Sequence, residues 1–465
     1  VATLSQEIVN GHNAKAAQLI KSGIDLNYLD EYGFTPLTQA AIMDNYALAA
    51  LMLNYKADPN KLSQDRSTAL QWAVDNSNYD LTELLLKNKA DPNIATPENQ
   101  PLLFYPTLRK DKPLCNLLIQ YGAKENVVKD YILAKLIGHR FELQGYIEVI
   151  NADGVFVQID FEGFYLEFTI SLILESLDRF MKSYEANRLN LPIDEYREVQ
   201  LALKNAYELR SFRHINKNID DYLPRIKQII RTYPLLLIPV SFRGHAMSFI
   251  RYQNLFARCD RGVHKMTDPI MIYEFKNDAP LTIDFYKQLM YEKNPPNFIN
   301  KEVNQILGLK KIDTLPISHQ KSGNCSWANI ESSVPTMLYM LLYKDKSNKN
   351  PSKTQQYIMQ FYQAWKEWDK DRALEDLIVD IKDKNKPRRI SKALLLAAVL
   401  NQSCDYKNPR DIVRAKKILT ILSEPEYKFI LRTYIEVYIK KGSGELKQRF
   451  ERLLEVCDVD YKIFI

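Results

Sequence analysis

The sequence predicts a multidomain chain of α and α+β parts: helical repeats over residues 1–126, an α+β domain over 127–345 and a helical bundle or cap over 346–465. Three observations predict it. The first quarter of the chain repeats itself with a period of 33, residues 146–168 and 235–260 show strand-like alternation, and residues from about 340 onward are helical in pattern with few breaks. A length of 465 residues accommodates three such parts at roughly 150 residues each.

In the repeats, Asn27, Asn60, Asn93 and Asn126 are spaced by 33, and Ala57-Asp58-Pro59-Asn60 matches Ala90-Asp91-Pro92-Asn93. Thr35-Pro36-Leu37 matches Thr68-Ala69-Leu70 and degrades to Pro101-Leu102-Leu103. Apolar segments recur at the same interval in Leu51-Met52-Leu53, Leu84-Leu85-Leu86 and Leu117-Leu118-Ile119. These landmarks resemble ankyrin repeats over about residues 10–126, as roughly four units with imperfect end copies, because each unit buries its apolar face only against neighbours. The family's Thr-Pro-Leu-His box has Thr38 and Gln71 in place of its His. The resemblance implies protein binding through loop tips and the concave helical face. The tips are Leu29 to Phe34, Leu62 to Ser67 and Ala95 to Gln100, and Tyr32, Arg66, Thr96, Glu98 and Asn99 on them are the candidate partner-binding residues. Polar tips of this kind also serve simply as solvated loops.

Beyond Asn126 the period is lost. Ile147 and Val149, then Val155, Val157 and Ile159, alternate around Asn151-Ala152-Asp153-Gly154 and predict a hairpin. From Ile170 to Arg231 the spacing is helical, with breaks at Pro192 and Pro224. Strands are then expected at Leu235 to Phe242, His245 to Tyr252 and Leu255 to Cys259, with a turn at Arg243-Gly244. The remainder is helical, with breaks at Lys346 to Pro351, Lys384 to Pro387 and Gly442 to Gly444.

If the turn after His245 to Tyr252 centres on Gln253-Asn254, Tyr252 pairs with Leu255 and Met247 opposes Asp260. His245 and Asp260 then become diagonal neighbours on one sheet face, roughly 7 to 8 Å apart at the backbone. A carboxylate so placed orients an imidazole and stabilises its protonated form. Farther on, Gly323 permits a tight turn and the pattern becomes helical from Cys325, whose thiol therefore sits in a first helical turn, where free amides and the helix dipole favour thiolate. Gln320, five residues earlier, is a candidate donor of an amide N–H to an oxyanion.

The order His245, Asp260, Gln320, Cys325 resembles the adenovirus-protease and ubiquitin-like-protease clan of cysteine peptidases over about residues 230–345. That resemblance implies a papain-like, ubiquitin-like-protease-type α+β core. It also implies His245 as general base, Asp260 as its orienter, Gln320 as oxyanion donor and Cys325 as nucleophile. The clan's His-Trp, Asp-Ser and Cys-Gly dipeptides are His245-Ala246, Asp260-Arg261 and Cys325-Ser326 here. An ankyrin array before such a core is similar to the ankyrin-repeat effectors that Legionella injects into host cells. This implies secretion without a cleaved signal peptide and a site of action in the host cytoplasm or nucleus. The implied activity is that of a protease or deubiquitinase-like hydrolase. Two alternatives stay open: acyl transfer within the same clan, and a non-catalytic ankyrin interaction protein on a degenerate scaffold.

Competing assignments exist for single residues. His319 and His264 are rival imidazoles, and Cys115, Cys259, Cys404 and Cys457 read as inert packing thiols. The Lys384 to Arg389 cluster reads as a solvated loop or an import signal.

Composition narrows the classes. Hydrophobic residues at 46% and charged residues at 26% exclude global disorder, and a net charge of +6 is too small for a DNA-coating surface, so nucleic acid is not expected as a direct ligand. The apolar runs Ala393 to Leu400 and Leu235 to Val240 fall short of the ~20 residues of a membrane span. Val1 to Gln6 lack the basic and apolar regions of a secretory signal, and the missing initiator methionine points to a trimmed start. Five cysteines without a CxxC pair favour free thiols in a reducing compartment. Cys259 with His264 has no second pair at zinc spacing, and HExxH, GxGxxG and P-loop runs do not occur, so no metal or cofactor is expected. A monomer that binds a host protein is expected.

Overall fold

The computed structural model describes residues 3–94, 100–150, 156–189, 193–212, 219–242, 245–262, 268–320, 323–344, 351–383 and 388–464. Of the expected tip residues, Thr96, Glu98 and Asn99 lie outside this set, as do the turns at Arg243-Gly244 and Asn151 to Gly154, His264, and Lys384 to Pro387. The chain forms two compact units, one of residues 1–133, 149–159 and 211–222, the other of residues 134–148, 160–210 and 223–465.

In the first unit, eight helices form four pairs: α1 Leu4–Val9 with α2 Asn13–Lys21, α3 Pro36–Ile42 with α4 Tyr46–Asn54, α5 Ala69–Asp75 with α6 Tyr79–Lys87, and α7 Phe104–Arg109 with α8 Lys112–Gln120. The first pair begins at Leu4, earlier than the sequence periodicity suggests. The 33-residue period has three physical causes. Leu48, Leu81 and Leu114, then Met52, Leu85 and Leu118, are buried at equivalent positions, each contributing about 1.5–3 kcal/mol. Asn45, Asn78 and Asp111 cap the second helix of their pairs by accepting from Leu48, Leu81 and Leu114 N–H, each bond stabilising by ~1 kcal/mol. The third cause lies between units of the array. Asn27 Oδ1 accepts from Asp58 N–H at 2.8 Å, Asn60 Oδ1 from Asp91 N–H at 2.8 Å and Asn93 Oδ1 from Lys124 N–H at 3.1 Å, so each landmark asparagine fastens the next repeat. Asn126 lies within the long helix α9, Glu125–Arg140.

Thr35 and Thr68 cap α3 and α5. Thr38, at the family's histidine position, bonds Thr35 at 2.8 Å and accepts from Ser63 of the next repeat at 3.3 Å.

The hairpin strands are β1 Tyr146–Ile150 and β2 Phe156–Asp160. Next come α10 Leu166–Met181, α11 Tyr184–Asn187, α12 Ile193–Ser211 and α13 Leu223–Thr232. Helix begins at Leu166, four residues before the position that apolar spacing suggests, because Phe168 and Thr169 are buried on it and Thr169 Oγ1 bonds back to Tyr165 O.

The second unit is built on a five-stranded antiparallel sheet in sequential order: β3 Leu235–Phe242, β4 His245–Tyr252, β5 Leu255–Cys259, β6 Ile270–Glu274 and β7 Lys310–Thr314. Between β6 and β7 lie α14 Ile283–Tyr291 and α15 Val303–Ile306. Tyr252 pairs with Leu255 and Ser248 with Cys259, the expected register. Pro239 is tolerated in β3 because that strand lies at the edge of the sheet. Helix α16, Cys325–Lys344, packs on β4 and β5, and α10 and α17, Pro351–Lys382, pack on α16. Trp327, Ile330, Val334 and Met337 of α16 join Ile250, Ala257 and Ile272 of the sheet in one apolar core. The last helices are α18 Arg389–Ser403, α19 Pro409–Leu422, α20 Lys428–Ile435 and α21 Gly444–Val456, and α18 contacts α17, α19 and α20. Among the described residues, no helix is long and apolar enough to cross a membrane.

Candidate active site

His245 opens β4, Asp260 follows the last residue of β5, and Cys325 is the first residue of α16. Because α16 lies across β4 and β5, its first turn meets both strand ends. His245 Nε2 lies 2.9 Å from Asp260 Oδ1. The Cys325 thiol lies close enough to the same imidazole to raise its affinity for a proton.

Asp260 is held as an anion. Oδ1 also accepts from Gly262 N–H at 3.1 Å, and Oδ2 accepts from Arg258 Nη2 at 2.7 Å. Burial pulls its carboxyl upward, but the His245 hydrogen bond and the Arg258 charge outweigh burial and hold it well below the usual carboxylate range. Arg258 was not singled out by the sequence reading. Its signal is the i, i+2 spacing that puts it on the same strand face as Asp260, and Asn300 Oδ1 fixes its guanidinium at 2.6 Å.

Burial opposes protonation of His245, yet the bonds to Asp260 and then Cys325 prevail and push it up to about 9. Burial would raise the Cys325 thiol, but the His245 hydrogen bond, followed by backbone N–H groups of Ala246 and Ser326, lowers it. The other four thiols all move upward, Cys259 to about 11 and Cys404 to about 12, chiefly through burial. Of the five thiols, Cys325 is the one shifted downward, and it lies beside an imidazole shifted upward.

Gly323 shapes the approach to the thiol. It has φ +77, and a Cβ there would sit 2.5 Å from Glu162 Cβ, so the turn needs glycine for its conformation and for space. Gln320 sits on the loop before this turn. Its backbone N–H donates to Arg261 O at 2.8 Å, while its buried side-chain Oε1 has no partner among the described residues. His319 Nδ1 bonds Gly262 O at 2.7 Å, which ties that imidazole to the segment after Asp260. Arg261, where the clan has Ser, points into the core instead of toward a groove. Its Nε donates to Ser318 O at 2.8 Å, and its Nη atoms approach Glu331 and Glu142 at 3.4 and 3.5 Å.

The ankyrin tips are constrained by their own hydrogen bonds. Asp30 Oδ1 accepts from Tyr32 and Phe34 N–H, and Gln64 N–H donates to Gly33 O at 2.7 Å, tying one tip to the next. Tyr32 is 69% exposed on this rigid loop, and Arg66 is exposed at φ +66.

Comparison with known proteins agrees with this architecture. A family model described as ankyrin repeats (3 copies) matches residues 4–96 and 44–129. No curated protein matches the sequence. A solved structure, that of the Legionella effector AnkH, superposes with a TM-score of 0.83 at 36% sequence identity, covering 99% of this chain and 98% of that one. At that identity over nearly the whole of both chains, the protein belongs to the family of the Legionella effector AnkH.

Proposed function

We propose that this protein is a bacterial effector that acts inside a host cell, binds a host protein through its ankyrin tips and carries out cysteine-dependent acyl chemistry at Cys325. In this reading residues 1–126 bind, with Tyr32, Arg66, Thr96, Glu98 and Asn99 facing the partner. Residues 127–345 form a cysteine protease-like α+β domain of the adenovirus-protease and ubiquitin-like-protease type, and residues 346–465 form its helical cap. The host cytoplasm or nucleus is the site of action, as suits a relative of a Legionella effector.

The observation that carries the reading is the His245 imidazole held at 2.9 Å from Asp260, next to a Cys325 whose thiol the imidazole shifts down while the imidazole itself is shifted up. The thiolate attacks a substrate carbonyl, forming an S–C bond, and Gln320 supplies an amide hydrogen to the oxyanion. As the intermediate collapses the C–N bond breaks, and the His245 imidazolium gives its proton to the leaving amine. Water then adds to the thioester with His245 as base, the C–S bond breaks, and acid and thiol are regenerated.

The test uses the full chain and an iodoacetamide-type electrophile at pH 6.5, with labelled cysteines mapped by mass spectrometry. An ordinary thiol near 8.5 is only ~1% thiolate there. Cys325 should be alkylated at least about tenfold faster than Cys115, a partly exposed thiol that is shifted the other way. Equal or reversed rates would remove the proposal. A Cys325→Ala protein that retains every biological effect would leave ankyrin-mediated binding as the whole function.

A further inference from the structure

We infer that Asn329 is a positioning residue for the Cys325, His245 and Asp260 set, an inference that rests on the reading of Cys325 as nucleophile. Asn329 lies four residues after Cys325 on α16, one turn along and on the same helix face. It is fully buried. Its side chain makes two short bonds: Nδ2 donates to Ala246 O at 2.6 Å, and Oδ1 accepts from Arg261 N–H at 2.6 Å. Ala246 directly follows His245, and Arg261 directly follows Asp260. One amide therefore grips the backbone next to the base and next to its orienter, from the helix that carries the thiol.

The chemistry of the residue type suits this task. The last ladder pair between β4 and β5 is Ser248 with Cys259, so the segments that carry His245 and Asp260 run beyond it. They present a carbonyl on one side and an N–H on the other. A carboxamide holds a donor and an acceptor side by side on separate atoms, and so takes the place of a missing rung, whereas ionised Asp only accepts, Leu does neither, and a Ser hydroxyl, one bond from Cβ, is too short to span both groups. The bond also reaches the sulfur. The N–H of Ala246 is one of the groups that stabilise the Cys325 thiolate, so holding the Ala246 carbonyl helps fix the residue whose N–H meets the thiolate.

Helix placement has a separate anchor. Ser333 Oγ lies 2.6 Å from Ser248 Oγ, and Thr336 lies 3.6 Å from the Cys259 sulfur. These contacts hold α16 on β4 and β5 farther from the site, which lets the two roles be separated by substitution.

The experiment measures the rate of Cys325 alkylation against pH in the full chain, with folding monitored by circular dichroism. Asn329→Asp keeps the acceptor for Arg261 N–H and loses the donor to Ala246 O. Asn329→Ser makes a neutral change, which excludes an effect of added charge. Both are expected to raise the pH of half-reaction by about one unit, a roughly tenfold slower alkylation at pH 6. Thr336→Val, equally buried on the same helix and without a bond to Asn329, should keep the wild-type profile. If folded Asn329→Asp and Asn329→Ser proteins retain the wild-type profile, or if Thr336→Val shifts it as far, the positioning role is overturned while the nucleophile reading stands. If wild-type Cys325 itself titrates as an ordinary thiol, both fall.

Discussion

Replacing His245 with Ala is expected to cost about 10^4-fold in turnover of any acyl substrate and to return Cys325 to the behaviour of a buried thiol. The substitution removes the hydrogen bond and positive charge that lower the thiol, while the burial that raises it remains. Alkylation should then require a pH at or above the ~8.5 of an ordinary cysteine. The sign of the wild-type profile follows from both partners. His245, pushed up to about 9, is protonated at neutral pH and loses its proton as pH rises through about 9. Cys325, shifted down, ionises at a lower pH than an unperturbed thiol. Turnover, which needs imidazolium for the leaving group, should be bell-shaped and fall off near pH 9, whereas alkylation, which needs only thiolate, should reach a plateau. A His245→Ala protein with wild-type alkylation at pH 6 would show that the imidazole does not set the reactivity of the thiol.

Arg261→Ala is expected to destabilise the fold by about 3–5 kcal/mol, because it breaks a buried ion network from one side. The Arg261 side chain is 2% exposed and meets Glu331 and Glu142. Lys366 bridges the same two carboxylates at 3.2 and 3.4 Å, and Tyr362 donates to Glu331 at 2.8 Å. Without the guanidinium, two part-buried carboxylates share one ammonium. Ser318 O loses its donor as well, which loosens the loop leading to Gln320. Denaturant titration should show a lower midpoint with an unchanged slope. A loss below about 1 kcal/mol would mean that water replaces the arginine at little cost.

Legibility in the sequence followed the range of the interactions. The repeat period was readable because each copy of the array solves the same local problem with the same residues, down to asparagines that fasten the next repeat. The register of β4 on β5 was readable because the turn at Gln253-Asn254 fixes every later pair, and that register alone brought His245 toward Asp260. The first-turn location of Cys325 came from the Gly323 turn and the onset of helical spacing. The start of α10 was misjudged by four residues, since Leu166 to Thr169 form helix through burial against other segments that spacing does not encode. Arg261 looked like a simple departure from a dipeptide pattern, and its partners lie 70 and 119 positions away at Glu331 and Glu142.

The sequence by itself determined the ankyrin array, the strand order around His245 and Asp260, and the helix that begins at Cys325, because periodicity and turn register act over a few residues or one fixed repeat. Packing of the folded chain sets Cys325 beside the His245–Asp260 pair, bonds Asn329 to the backbone at the two strand ends and turns Arg261 into the core. Those outcomes depend on which buried polar groups meet across tens of residues, and the free-energy cost of leaving such groups unpaired acts only once the segments have packed.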